Sequence, residues 1–233
     1  MLPLKDNVPT RSFPILTVSL ILANVAVWVF YELPQLERSI DEYAYHPCEV
    51  ENSCRVVGHD WVVTAFTSMF MHGGWEHLLG NMLFLWIFGN NVEDRLGRPR
   101  FLLFYVAGGL AATALQTFVT LQFGTDAAAR IPNVGASGAI AAVLGGYILL
   151  YPLGSVLTYI APIFFFPVPA FLYLGVWFLF QAVAGSASFT HPEEGGGVAY
   201  FAHIGGFLFG LFVIRFLAAR RPKDPPRLAG VFR

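Results

Sequence analysis

Four side chains suited to acyl-transfer chemistry sit in three apolar stretches of this sequence. Ser137 lies in Gly135-Ala136-Ser137-Gly138, near the start of a helix-length run. His203 stands near the start of a second run, and His77 and Asn81 lie four apart in a third. A serine hydroxyl becomes a nucleophile when an imidazole takes its proton. Two hydrogen-bond donors one helical turn apart, aimed at one carbonyl, would stabilise the oxyanion that this attack creates. Such chemistry needs the three stretches to converge.

The composition says where they would converge. Of 233 residues, 56% are hydrophobic and only 12% charged. Soluble domains carry about a quarter charged residues, so this is the profile of a polytopic membrane protein. The net charge of −1 gives no electrostatic reason to expect a nucleic-acid partner. The first apolar run, Phe13 to Tyr31, ends in Glu32-Leu33-Pro34 rather than a small-residue cleavage site, and is expected to be a retained helix.

Six helices are predicted, over roughly 13–32, 76–91, 101–122, 135–151, 168–185 and 198–217. The fold class is an all-α, polytopic, six-helix membrane bundle. Residues 1–12 form an N-terminal segment, 13–217 the membrane domain and 218–233 a basic tail. Residues 33–62 read as an acidic loop, and 63–75 as a segment packed on the bundle. Residues 153–167 are apolar but too short to cross, and Pro162 and Pro167 break a helix there; a folded-back or interfacial loop is expected.

Lys and Arg orient the bundle. Lys5, Arg11, Arg95, Arg98, Arg100, Arg215 and the tail lie on one side, against Arg38, Arg55 and Arg130 on the other. Both termini are therefore expected in the cytoplasm, in a bacterial plasma membrane. The second, fourth and sixth helices then enter from the outer face. Each carries its polar residues in its first two turns, at one depth. Ser137, Ala141 and Gly145 form one small-residue stripe, and His203, Gly206 and Gly210 another. Facing stripes of this kind let membrane helices pack closely, which would bring Ser137 to His203. The bland alternative is polar residues acting as interhelical glue, but ionisable groups within spans are costly and usually functional.

No Asp or Glu lies in the last three predicted helices, so a dyad is expected rather than a triad. His72 and His77 are five apart, off a common helical face, so no metal site is expected there. His72 is assigned to the entrance or to structure, and Glu76 to the solvated surface. Cys48 and Cys54 in an exterior loop favour a disulfide. A zinc site with His46 and His59, or free thiols, are the alternatives.

These residues resemble the rhomboid family of intramembrane serine proteases. The matching stretches are Gly135-Ala136-Ser137-Gly138, Ala202-His203 with Gly206 and Gly210, His77-Leu78-Leu79-Gly80-Asn81, and Val92-Glu93-Asp94-Arg95-Leu96-Gly97. The resemblance covers roughly residues 15–217. It implies a Ser137 nucleophile, a His203 general base and an oxyanion hole from His77, Asn81 and the Ser137 amide. It also implies transmembrane protein substrates cut without a cofactor, entering from the bilayer near the fifth helix, with 185–197 as a cap. Oligomeric state has no signature in the sequence.

Two departures stand out. Where many relatives carry Trp-Arg upstream of His72, this chain has Val63 and Thr64. Where some carry an aromatic one turn after the serine, it has Ala141, so another group must hold His203. A client-binding relative without activity is the second reading; it would lack the serine or the histidine. A transporter is the third; it would want polar residues through the whole bilayer depth.

Overall fold

The computed structural model describes residues 1–54, 58–162, 164–190 and 198–218, with the backbone alone for 188–190. Arg55, residues 191–197 of the expected cap with Glu193 and Glu194, and the basic tail beyond 218 lie outside the described residues. The chain folds into helices α1 (Ile15–Val27), α2 (Leu36–Tyr43), α3 (Trp61–Thr67), α4 (Trp75–Phe84), α5 (Asn90–Leu96), α6 (Arg98–Phe123), α7 (Asp126–Ala129), α8 (Ser137–Leu150), α9 (Ala170–Thr190) and α10 (Tyr200–Leu217). A π turn over Trp28–Glu32 prolongs α1, and another over Leu85–Gly89 joins α4 to α5.

Among the described residues, four helical stretches are long and apolar enough to cross a membrane: Ile15–Glu32, Arg98–Phe123, Ala170–Ala187 and Tyr200–Leu217. The α4–α5 rod and the short α8 stand at the remaining two positions predicted from the sequence. Helix α8 is apolar all round, and every residue from Gly138 to Tyr147 is buried. A helix of that kind belongs at the centre of a bundle. Its 14 residues reach about 21 Å, against about 39 Å for the 26 of α6. The central helix is thus shorter than its neighbours, and Ser137 is its first residue.

Close backbone contact fixes α8 against α10. A methyl group on Gly206 would collide with the Gly138 carbonyl, one on Gly210 with the Ala142 carbonyl, and one on Gly145 with the Phe207 carbonyl. The two small-residue stripes do face each other, offset by about one residue.

At the opposite end from Ser137, residues 153–167 form part of a sheet, not the loop expected. Strands β1 (Leu2–Asp6), β2 (Ser155–Ile160) and β3 (Phe164–Pro169) pair antiparallel in the order β1-β2-β3. In register, Val156 faces both Asp6 and Val168, and Tyr159 faces both Leu2 and Phe165. The central strand, Ser-Val-Leu-Thr-Tyr-Ile, has no proline and three β-branched residues. The prolines sit on the two edge strands, as Pro3, Pro167 and Pro169, where a missing N–H spoils no inner ladder. Residues 1–12 therefore contribute a strand to the fold.

Polar side chains stitch this end together. The Glu93 carboxylate, 3% exposed, accepts the Leu16 and Thr17 amides at 3.0 and 2.7 Å and the Thr17 hydroxyl at 2.8 Å. It thereby caps α1, whose leading amides have no partner within the helix. Asp94 accepts the amide and hydroxyl of Ser12. Asp6 accepts from Asn91 Nδ2 and from Tyr147 Oη, both at 2.6 Å, tying β1 to α5 and α8. Burial pushes the Asp6 carboxyl above its ordinary range, and the bond from Tyr147 pulls the other way.

At the Ser137 end, the expected acidic loop contains α2 and is anchored by backbone pairing. Tyr45 and Asn133 exchange two hydrogen bonds, at 3.1 and 2.8 Å, and the buried Tyr45 hydroxyl meets Thr117 at 2.8 Å. Cys48 and Cys54 are bonded to each other, with Cα atoms 5.5 Å apart, so neither serves as a thiolate ligand. His59 packs on the Tyr43 ring instead. These contacts anchor the loop.

Candidate active site

Helix α8 delivers Ser137 and α10 delivers His203 to one point. Ser137 Oγ lies 2.8 Å from His203 Nε2. The other ring nitrogen, Nδ1, lies 2.8 Å from Gln181 Oε1 on α9. Trp177, one turn before Gln181, places its ring 5.9 Å from the imidazole at an interplanar angle of 38°. The position that the sequence left without an aromatic, Ala141, is thus made good from a different helix.

Opposite the serine stand His77 and Asn81 of α4. The Gly73 amide donates to His77 Nδ1 at 3.3 Å. An accepting Nδ1 in a neutral ring leaves the proton on Nε2. That nitrogen faces the serine side of the site: a methyl at Gly135 would sit 2.8 Å from His77 Nε2 and 3.5 Å from Ser137 Oγ. Gly135 has φ +123°, a conformation that suits glycine. Residue 135 must therefore be small and left-handed for the imidazole and the hydroxyl to share this space. Asn81 is 8% exposed, and among the described residues its Nδ2 has no acceptor. Ser137 opens α8, so its amide has no carbonyl one turn back within the helix.

A cavity of about 730 Å³ joins these groups. His77, Asn81, Ser137, Gln181 and His203 supply its polar wall, and Phe84, Ile140, Leu144 and Trp177 much of its apolar wall. Glu76 and Trp75 also line it and are exposed, Glu76 being on the solvated surface as the sequence suggested. His72 does not line the entrance. It is fully buried behind His77, with ring centroids 5.1 Å apart, and its amide donates to Glu32 Oε1 at 2.7 Å. Burial, with His77 beside it, pulls its pKa down to about 3, so the ring is neutral. Its part is structural, the second of the two roles predicted.

All four site residues named from the sequence line one cavity. Sequence reasoning missed Gln181 and Trp177. A search for a third triad member among carboxylates passes over an amide. The signal that could have found them is the spacing Tyr173, Trp177, Gln181, a polar and aromatic stripe along an otherwise lipid-like helix.

Comparison with known proteins shows the family. The Rhomboid domain model matches residues 59–220. Rhomboid protein 1, mitochondrial, of Saccharomyces cerevisiae is 30% identical over 199 residues, covering 84% of this chain and 51% of that protein. Presenilin-associated rhomboid-like protein A, mitochondrial, of Danio rerio is 28% identical over 200 residues, 85% of this chain and 47% of that protein. A Bacillus subtilis rhomboid, YdcA, is 31% identical over 142 residues, 60% of this chain and 64% of that protein. The chain spans about half the length of the mitochondrial relatives it matches. Their names do not support the bacterial plasma membrane expected from the sequence. With the family model matching well over half of the sequence, the chain belongs to the rhomboid family.

Proposed function

We propose that this chain is an intramembrane serine endopeptidase that cuts transmembrane segments of other proteins. The observation carrying this reading is the 2.8 Å approach of Ser137 Oγ to His203 Nε2, at the floor of a cavity inside an apolar bundle. In the proposed reaction, His203 Nε2 takes the hydroxyl proton as Oγ attacks the scissile carbonyl carbon. The resulting oxyanion is held by His77 Nε2–H, Asn81 Nδ2 and the Ser137 amide. His203 then gives the proton to the departing amine, and water releases the acyl group by the same steps in reverse order. None of these steps calls for a metal or cofactor.

The membrane domain is assigned to 13–217, with residues 1–12 and 218–233 flanking it. The charge asymmetry supports cytoplasmic termini and a site toward the opposite face. The grouping of β1, the α5–α6 junction and the end of α10 at one end of the bundle fits that orientation: Arg100 reaches the Leu217 carbonyl there.

A fluorophosphonate probe tests the reading. Purified wild type is expected to be labelled and to cleave a membrane-anchored reporter. Ser137→Ala and His203→Ala are expected to lose both while still accumulating as folded protein. A folded wild type that neither labels nor cleaves, or a Ser137→Ala variant that still cleaves, refutes it.

A further inference from the structure

His203 needs one particular tautomer to act as a base. If Nδ1 carries the proton, the Nε2 lone pair faces Ser137 and can accept; if Nε2 carries it, the ring can only donate to the hydroxyl. In water the two forms interconvert freely, so the fold must choose. Among the described residues, what meets Nδ1 is Gln181 Oε1, at 2.8 Å. An amide oxygen can only accept, and a donor must therefore sit on Nδ1. Gln181 is 6% exposed, so little solvent competes for this bond.

We propose that Gln181 is a positioning residue of the Ser137–His203 pair, holding the imidazole by accepting its Nδ1–H so that the Nε2 lone pair faces the Ser137 hydroxyl. This rests on the hydrolase reading above and deepens it. The amide does the orienting task of a triad carboxylate without placing a charge in the bundle, where a buried carboxylate would be costly. Among the described residues, the other titratable groups on the same cavity are His77 of α4 and the exposed Glu76. Ser137 and Ala141 of α8 and Trp177 of α9 bring no charge to it. Helix α9 faces outward through the exposed Val176, Leu179, Phe180 and Val183. The base is therefore set by a helix that meets lipid on its far side.

The test compares wild type, Gln181→Met and Gln181→Glu in liposomes, reading kcat and KM on a membrane-anchored reporter and the rate of fluorophosphonate labelling against pH. Methionine keeps the length and the packing but offers only a weak acceptor. It is expected to lower kcat and the labelling rate about 10- to 100-fold, with KM changed less than about twofold. That loss is smaller than the roughly 10⁴-fold recorded when a buried triad carboxylate is replaced by its amide. Glutamate restores an acceptor and is expected to recover the rate to within a few-fold. Its charge favours the imidazolium, so the acid limb of the profile moves to higher pH. A Gln181→Met variant within twofold of wild type, a loss confined to KM, or a Gln181→Glu variant as slow as the methionine overturns the proposal. Wild type that fails to label at Ser137 overturns the hydrolase reading instead.

Discussion

Replacing Gly206 with alanine places a methyl group where α10 touches the backbone of α8. The methyl would overlap the Gly138 carbonyl and lie 3.2 Å from the Ala141 methyl. Unbonded carbon and oxygen atoms rest roughly 3.5 Å apart, and neither partner is the far end of a flexible side chain. The helices must therefore part by about 1 Å or more. Gly206 lies one turn after His203, and Gly138 is next to Ser137, so the separation falls on the Ser137–His203 contact itself. A 2.8 Å hydrogen bond lengthened by that amount is no longer one. Misplacement on this scale costs about 10²-fold in rate. Gly206→Ala is accordingly expected to lose about two orders of magnitude in reporter cleavage and in fluorophosphonate labelling, while still eluting as a helical monodisperse protein. Gly175→Ala is the control. It lies on α9, where among the described residues nothing beyond its chain neighbours and its own helix backbone stands within 4 Å of the new methyl, and activity should be unchanged. A Gly206→Ala enzyme retaining half of wild-type activity would refute the claim that this backbone contact sets the serine–histidine distance.

Two further predictions concern the end away from the site. Glu93→Ala removes three hydrogen bonds from the first turn of α1 and should destabilise the protein by about 2–4 kcal/mol; denaturation in detergent within about 0.5 kcal/mol of wild type would contradict the capping role. Asp6 has a raised pKa, so its protonated form is favoured in the folded state. The stability it contributes is present below 3.8 and is lost as pH rises through the folded value. Asp6→Asn does not titrate, so the difference in melting temperature between the two proteins should change across that window; a constant difference from pH 3.5 to 8, roughly the span over which a raised carboxyl titrates, would show that Asp6 is not buried as described.

The sequence showed most plainly what periodicity and charge can carry. Ser137, His203, His77 and Asn81 read at one depth because helical rise is regular, and the two small-residue stripes named the helices that touch. Local pattern failed where the partner was distant in the chain. Strand β2 pairs with β1 about 150 residues upstream, and its apolar neighbours hid the alternation that marks a half-buried strand. Gly185 looked like a helix stop, yet α9 runs on to Thr190. A methyl there would sit 3.1 Å from Tyr200 Cβ, so this glycine serves a close crossing with α10 rather than a cap. Gln181 escaped notice because a triad was sought among acids, and nothing in the spacing said that an amide could take that place.

The sheet has a mechanical consequence for α9. Its first residues are pinned: the Ala170 amide donates to Gly154 at 2.7 Å and the Phe171 amide to Pro152 at 3.0 Å. Any sideways swing of this helix must pivot there, and the displacement grows with distance from the pivot. Gln181 lies eleven residues along, about 16 Å by helical rise. A tilt of about ten degrees would carry it about 3 Å at that radius, farther than the hydrogen bond it makes to His203. On the proposed reading, a swing of that size would also break the Gln181–His203 bond, so the orientation of the imidazole depends on where this helix lies.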